Sequence, residues 1–160
     1  MKRWFKMFKR KQEIEEVEIP IKLVNGNYLG IPEYQTDGAS GCDLMANIKE
    51  SITIPVGGIA VIPTGIRLEL PIGIEGQVRS RSGTSSKGLM CLNGVGTIDW
   101  DYRGEIHIPV INCSMETFTI NRGDKIGQLV FNRVVRGKFK LVDKLSKTSR
   151  GDKGFGSTGI

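Results

Sequence analysis

Between Glu105 and Asn112 the chain reads EIHIPVIN, with Ile106, Ile108 and Val110 at every second position and His107 and Ile111 between them. A period of two marks a strand with one buried face, because successive side chains leave a strand on opposite sides. SITIPVGGIAVIPTGIRLEL (51–70) repeats the theme as two or three short strands rich in β-branched residues, broken at Pro55, Gly57–Gly58 and Pro63. ETFTI (116–120) and IGQLVFNRVV (126–135) continue it. From about Val17 onward, glycine and proline punctuate the pattern at roughly ten-residue intervals, which predicts an all-β jelly-roll-like sandwich or barrel. No long amphipathic helix is present. The best helical segment is short, about Thr84 to Leu89, with serine or threonine available as a cap. His107 lies within a strand pattern and has no second histidine near it, so it reads as structural.

A chain of 160 residues, 39% hydrophobic and 25% charged, fits one globular domain. Its apolar runs are too short to span a membrane as a helix. Three cysteines (Cys42, Cys91, Cys113) and one histidine assemble neither a disulfide framework nor a zinc site, and reduced thiols in the cytoplasm are the expectation. The charge is concentrated at the start. Residues 1–11, MKRWFKMFKRK, carry Lys2, Arg3, Lys6, Lys9, Arg10 and Lys11 and no acid; the 17 other basic residues match the 17 acidic ones. Trp4, Phe5 and Phe8 are interleaved with those bases. The arm reads as a solvated extension or as a contact for nucleic acid or a membrane surface. It is not a secretory signal, since the acidic EIEEVE follows it. The division expected is a basic-then-acidic arm over 1–16, a β domain over 17–147 and a flexible tail over 148–160.

Chemistry belongs where polar and glycine residues interrupt the strands, and five stretches do so. DGASGCDLMA places Asp43 after a glycine turn. QVRSRSGTSSKG sets Arg79, Arg81, Ser82 and Gly83 before the short helix, an arrangement suited to an anion. NGVGTIDWDYRGEI holds Asn93, Asp99, Asp101, Tyr102, Arg103 and Glu105 around a glycine turn. NRGDKIGQLVF has Asp124 and Gln128 at a strand entrance, although RGDKIG by itself is ordinary turn chemistry. The tail supplies Arg150 and GFGSTG (154–159), an aromatic and two hydroxyls among three glycines. Many phosphate-type donors, few carboxylates and an aromatic on a mobile tail describe a nucleotide site, with magnesium held mainly by substrate phosphates. The residues alone do not say which nucleotide.

In order and spacing these five stretches resemble the five signature motifs of the trimeric deoxyuridine triphosphatases (dUTP pyrophosphatases). The resemblance runs from about Ile21 to Gly159, and its most specific pieces are GTIDWDYRGEI and RGDKGFGSTG. It implies a jelly-roll-like fold, a homotrimer with each active site shared by three subunits, and hydrolysis of dUTP to dUMP and pyrophosphate with Mg2+.

Asp99 would then be the general base for the water that attacks the α-phosphorus. Asp43 and Gln128 would hold magnesium through its waters. Ser82 would bond the oxygen bridging the α- and β-phosphates, with Arg81 and Gly83 shaping the same phosphate loop. Asn93 and the backbone of Gly96, Thr97 and Ile98 would read uracil, and Tyr102 would lie beneath the deoxyribose. Phe155 and Gly156 would cover the base, with Arg150, Ser157 and Thr158 around the γ-phosphate.

The sequence departs from the family pattern in three places. Trp100 stands at a position that is usually small or polar, which predicts packing at the surface or a subunit contact. Lys153 replaces the usual glycine, and TSS follows RSG in place of a more apolar stretch. None removes a catalytic group. The basic arm lies outside the resemblance. The related dCTP deaminases and a regulatory protein on a spent scaffold are the rival readings. The first lacks this uracil-stacking tail; against the second, Asp99, Ser82, Gln128 and Phe155 are all present.

Overall fold

A computed structural model describes residues 14–24 and 29–154. Residues 1–11 of the arm and Phe155, Gly156, Ser157 and Thr158 of the tail lie outside the described residues. Among the described residues the fold is all-β apart from one turn of helix: β1 (Ile21–Leu23), β2 (Cys42–Met45), β3 (Ile52–Ile54), β4 (Ile59–Pro63), β5 (Ile66–Leu68), β6 (Ile74–Arg79), α1 (Ser82–Ser85), β7 (Leu89–Cys91), β8 (Val95–Ile98), β9 (His107–Asn112), β10 (Phe118–Ile120) and β11 (Lys125–Arg133). No helix among them is long and apolar enough to cross a membrane.

Two sheets carry most of the structure, one in the order β2-β11-β6-β8 and one in the order β4-β9-β7, with β1-β5 and β10-β3 as smaller pairs. All the pairings are antiparallel. One cluster of buried side chains joins the two sheets, with Leu44, Val78, Ile126 and Leu129 from the first and Ile62, Leu89, Ile108 and Val110 from the second. This is a jelly-roll-like sandwich, each strand contributing its inward residues to a common core.

The alternation in 105–112 has the face assignment expected of it: Ile106, Ile108 and Val110 are buried while His107 is exposed. The region 51–70 holds three strands, the upper of the two numbers expected. The break expected at Pro63 falls directly after it: Pro63 is the last residue of β4 and pairs with His107. It is tolerated because β4 is an edge strand, where a missing N–H need not meet a neighbour. The helix is shorter and earlier than expected. It spans Ser82–Ser85, is capped at Arg81 without a side-chain bond, and leaves Leu89 to open β7. The turn that follows its Ser86 cap closes at Gly88 with φ +87, where Ser114 is so close that a Cβ would lie 2.6 Å from its backbone nitrogen. Only glycine fits such a backbone there.

The inner face of β9 ends on a polar residue. Asn112 is 0% exposed. Its Nδ2 donates to the Ile54 carbonyl at 3.0 Å and the Glu116 carbonyl at 2.7 Å, while its Oδ1 accepts from the Ser114 N–H at 2.9 Å and hydroxyl at 2.7 Å. One side chain thereby stitches the 112–116 turn to β3. Alanine at this position would leave buried groups without partners and open a small void. Asn112→Ala is expected to lower the free energy of unfolding by about 3 kcal/mol, read as an earlier urea midpoint at unchanged slope.

Candidate active site

Strand register sets the geometry. Asp43 of β2 pairs with Gln128 of β11, Gln128 with Arg79 of β6, and Arg79 with Val95 of β8, so one row crosses the whole sheet. A β-bulge interrupts β11 between Lys125 and Gly127. In a regular strand, residues three apart face opposite sides; the extra residue lets both Lys125 and Gln128 serve this row.

Arg81, just past the end of β6, donates from Nε to Asp43 Oδ1 at 2.7 Å and from Nη1 to the Lys125 carbonyl at 3.0 Å. Lys125 Nζ lies 2.8 Å from Asp43 Oδ2, an ion pair set off the ideal hydrogen-bond direction. Gln128 Nε2 donates to the Ser80 carbonyl at 2.9 Å, and the Ser80 hydroxyl accepts the Cys91 N–H at 2.8 Å. Ser82 and Gly83 open α1 directly after Arg81, and Gly83 faces open space. Asp43, Arg81, Ser82, Gly83 and Gln128 are therefore neighbours.

A second group forms on the turn between β7 and β8, on β8 itself and on the loop after it. Val95 N–H bonds the Asn93 carbonyl at 2.7 Å, and the Asn93 amide sits over Gly96, where a Cβ would come within 2.8 Å of its nitrogen. Thr97 is exposed and Ile98 half-buried. Asp99 is exposed; its carbonyl accepts the Tyr102 N–H at 3.1 Å, and its carboxylate bonds nothing among the described residues. Tyr102 lies over Gly104 and donates its hydroxyl to the Glu105 carbonyl at 3.0 Å. Glu105 in turn accepts the Gly65 N–H at 2.9 Å, which ties this loop to the start of β5. Trp100 packs against the core, half-buried, and its carbonyl accepts Arg103 Nη1 at 2.8 Å. Part of the indole thus belongs to the protomer's own interior.

One chain does not bring the two groups together. Ile98 pairs with Gly76, so Asp99 falls level with Glu75 and Asn132, four residues along the sheet from the Asp43–Gln128–Arg79 row. That separation is roughly 13 Å at the ordinary rise of a strand, and Ser82 lies beyond Arg79 in the opposite direction. Arg150 sits in an exposed turn at the base of the tail, where the Gly151 N–H bonds the Thr148 hydroxyl at 3.1 Å.

Lys125 and Ser80 were not singled out from the sequence as site residues, and Glu105 stood there only as a member of the NGVGTIDWDYRGEI cluster, without a role. The GDKIGQ stretch displayed Lys125, but only the register shows where its ammonium goes. Asp124 serves the turn, accepting the Asn121 N–H at 2.7 Å. The His107 ring bonds only the Glu105 carbonyl among the described residues, at 3.1 Å. Burial pushes the thiols of Cys42 and Cys91 above their ordinary range, so both stay protonated at neutral pH and are poor nucleophiles.

No group of three or more histidine, cysteine, aspartate or glutamate side chains among the described residues could cage a metal ion. Near the row, one carboxylate, Asp43, is already paired with two cations, and one amide oxygen, that of Gln128, makes no bond to the described residues. This donor set fits an ion that keeps waters around it and takes its direct oxygens from a polyphosphate.

A family model described as dUTPase matches residues 27–159. A relative called deoxyuridine 5'-triphosphate nucleotidohydrolase, from Caldanaerobacter subterraneus subsp. tengcongensis, is 50% identical over 133 residues, covering 82% of this chain and 90% of that protein. One of the same description from Fusobacterium nucleatum subsp. nucleatum is 43% identical over 143 residues, 89% and 98% of the two chains. The fold is similar to that of Staphylococcus bacteriophage 80alpha dUTPase with dUpNHpp, at a TM-score of 0.81 and 27% identity over 89% of this chain and 99% of that one. It is also similar to a dUTPase mutant from phage phi11 of S. aureus, whose structure concerns a structural Mg(II) ion. That match has a TM-score of 0.72 and 26% identity, over 80% and 98% of the two chains.

Proposed function

Because the chain belongs to the dUTPase family and is a dUTP diphosphatase, we propose that it cleaves dUTP by in-line attack of water on the α-phosphorus, with Asp99 as general base. The observation that carries this is the Asp99 carboxylate, exposed on a hydrogen-bonded loop and free of partners among the described residues. It is available to orient a water and take its proton. The water oxygen bonds the α-phosphorus as the bridging oxygen leaves with pyrophosphate. Ser82 donates to that bridging oxygen as it gains charge. Arg81 and the open backbone at Gly83 hold the phosphates on the same side. Mg2+, held through its waters by Asp43 and Gln128, would offset the charge of the triphosphate.

Asn93 and the backbone of Gly96, Thr97 and Ile98 read uracil, rejecting cytosine by mismatched donors and thymine by lack of room for a methyl. Tyr102 closes the sugar side against a 2′-hydroxyl. Phe155 and Gly156 cover the base, and Arg150, Ser157 and Thr158 hold the γ-phosphate. In this reading the body of the domain runs from 17 to 147, 148–160 is its lid and 1–16 a separate arm. The setting is the cytoplasm, where the three unpaired cysteines stay reduced.

The working unit is a homotrimer, because Asp99 and the phosphate row of one chain are too far apart to reach one α-phosphorus. An apolar outer face on the β4-β9-β7 sheet supports such assembly. Ile59 pairs with Ile111 and Val61 with Pro109, and Ile59, Val61 and Met90 are exposed in the single chain.

The test is pyrophosphate release from dUTP, dCTP, dTTP and UTP with magnesium. Release is expected from dUTP and hardly at all from UTP or dTTP. Comparable turnover of all four would overturn the assignment, and consumption of dCTP would favour a deaminase.

A further inference from the structure

We propose that Lys125 is a positioning residue for phosphate binding, acting through Asp43 on Arg81. This rests on the reading of Arg81 as a phosphate ligand. The three residues close a ring. The Lys125 ammonium holds Asp43 Oδ2 at 2.8 Å, Asp43 Oδ1 accepts Arg81 Nε at 2.7 Å, and Arg81 Nη1 returns to the Lys125 carbonyl at 3.0 Å. Lys125 thus contributes both ends of the ring, one from its side chain and one from its backbone. Arg81 Nη2 makes no hydrogen bond among the described residues and remains available to a ligand.

Exposure argues that the ring is for geometry. The Asp43 side chain is 13% exposed but that of Lys125 is 37% exposed. With its lysine end this open to solvent, the pair adds only modestly to stability. What it does is fix the carboxylate. With Oδ2 held by the ammonium, Asp43 presents Oδ1 to Nε, and a guanidinium tied at two nitrogens stops rotating. A preset donor binds phosphate without first losing side-chain freedom. The bulge before Gly127 makes this possible, since it brings Lys125 to the side of the sheet that Gln128 already serves. Asp43 in this arrangement is an aligner of Arg81, whatever waters it also holds.

The experiment measures binding of tripolyphosphate to the full chain by calorimetry, without magnesium, for Lys125→Met, Lys125→Arg, Asp43→Asn and the Lys125→Met/Asp43→Asn double variant. Lys125→Met is expected to weaken binding about tenfold at an unchanged melting temperature, and to raise KM for dUTP more than it lowers kcat. Lys125→Arg should restore affinity to within about threefold, because its cation can still hold Oδ2. The double variant should bind no more weakly than the weaker single one, because both substitutions open the same ring. Unchanged affinity in Lys125→Met overturns the proposal. So do losses that multiply in the double variant, which would mean that Lys125 meets the phosphate itself. If Lys125→Met does not fold, Lys125→Gln takes its place in the series. Binding is read apart from turnover, so a failure of dUTP hydrolysis in the unaltered protein and a failure of the ring are separate results.

Discussion

Asp99→Asn is expected to cut dUTP turnover by at least about 10²-fold while substrate still binds. Asparagine keeps the shape of the side chain and its ability to hold a water, but an amide does not take the water's proton at neutral pH. The surroundings make the comparison clean. The carboxylate bonds nothing among the described residues, and the loop is held by the Asp99 carbonyl and by Tyr102 and Glu105 instead. Folding and melting temperature should therefore be unaffected, and the loss should fall on kcat with KM near its original value. Steady-state kinetics, with binding of a non-hydrolysable dUTP analogue as the control, decides it. Near-normal turnover in this variant removes Asp99 from the role of base.

Ending the chain at Ser149 is expected to lower dUTP turnover by on the order of 10² or more, through lost alignment of the α-phosphorus and lost exclusion of water. The truncation removes Arg150 and the GFGSTG segment. It leaves the strands and the core intact, since β11 ends at Arg133 and residues 143–153 are exposed and carry neither strand nor helix. Melting temperature and oligomer mass should hold steady in the same preparation. Full turnover in the shortened chain would show that the tail is not a lid. A fall in melting temperature as large as that of a core substitution would show that it is part of the folded body.

Much of this molecule can be read from spacing. The inward set of β9 follows from alternation because a period of two survives any fold that buries one face. The motif-bearing stretches could be located because polar clusters and glycines stand out against β-branched neighbours. The ring around Arg81 could not be read in this way. Asp43, Arg81 and Lys125 lie 38 and 44 residues apart, and their meeting depends on one bulged residue in β11. Nothing in IGQLVF announces that bulge. The position of α1 was also hidden, because the turn that carries it into β7 is fixed by a contact between Gly88 and Ser114 across the fold. A local propensity for Thr84–Leu89 contains no information about that contact.

The separation of roughly 13 Å between Asp99 and the Asp43–Gln128–Arg79 row has a genetic reading. When catalytic groups in one pocket come from different copies, a lesion in one copy does not spoil every pocket that copy touches. In the homotrimer proposed above, a chain lacking Asp99 would still lend its Asp43–Gln128–Arg79 row to a neighbour, and a chain lacking Arg81 would still lend Asp99. Two null alleles of such a gene, one in each region, are then expected to restore function when expressed together, although neither product works alone. Two nulls within the same region do not. Inheritance of activity in a mixed population would then map which residues share a chain and which share a pocket.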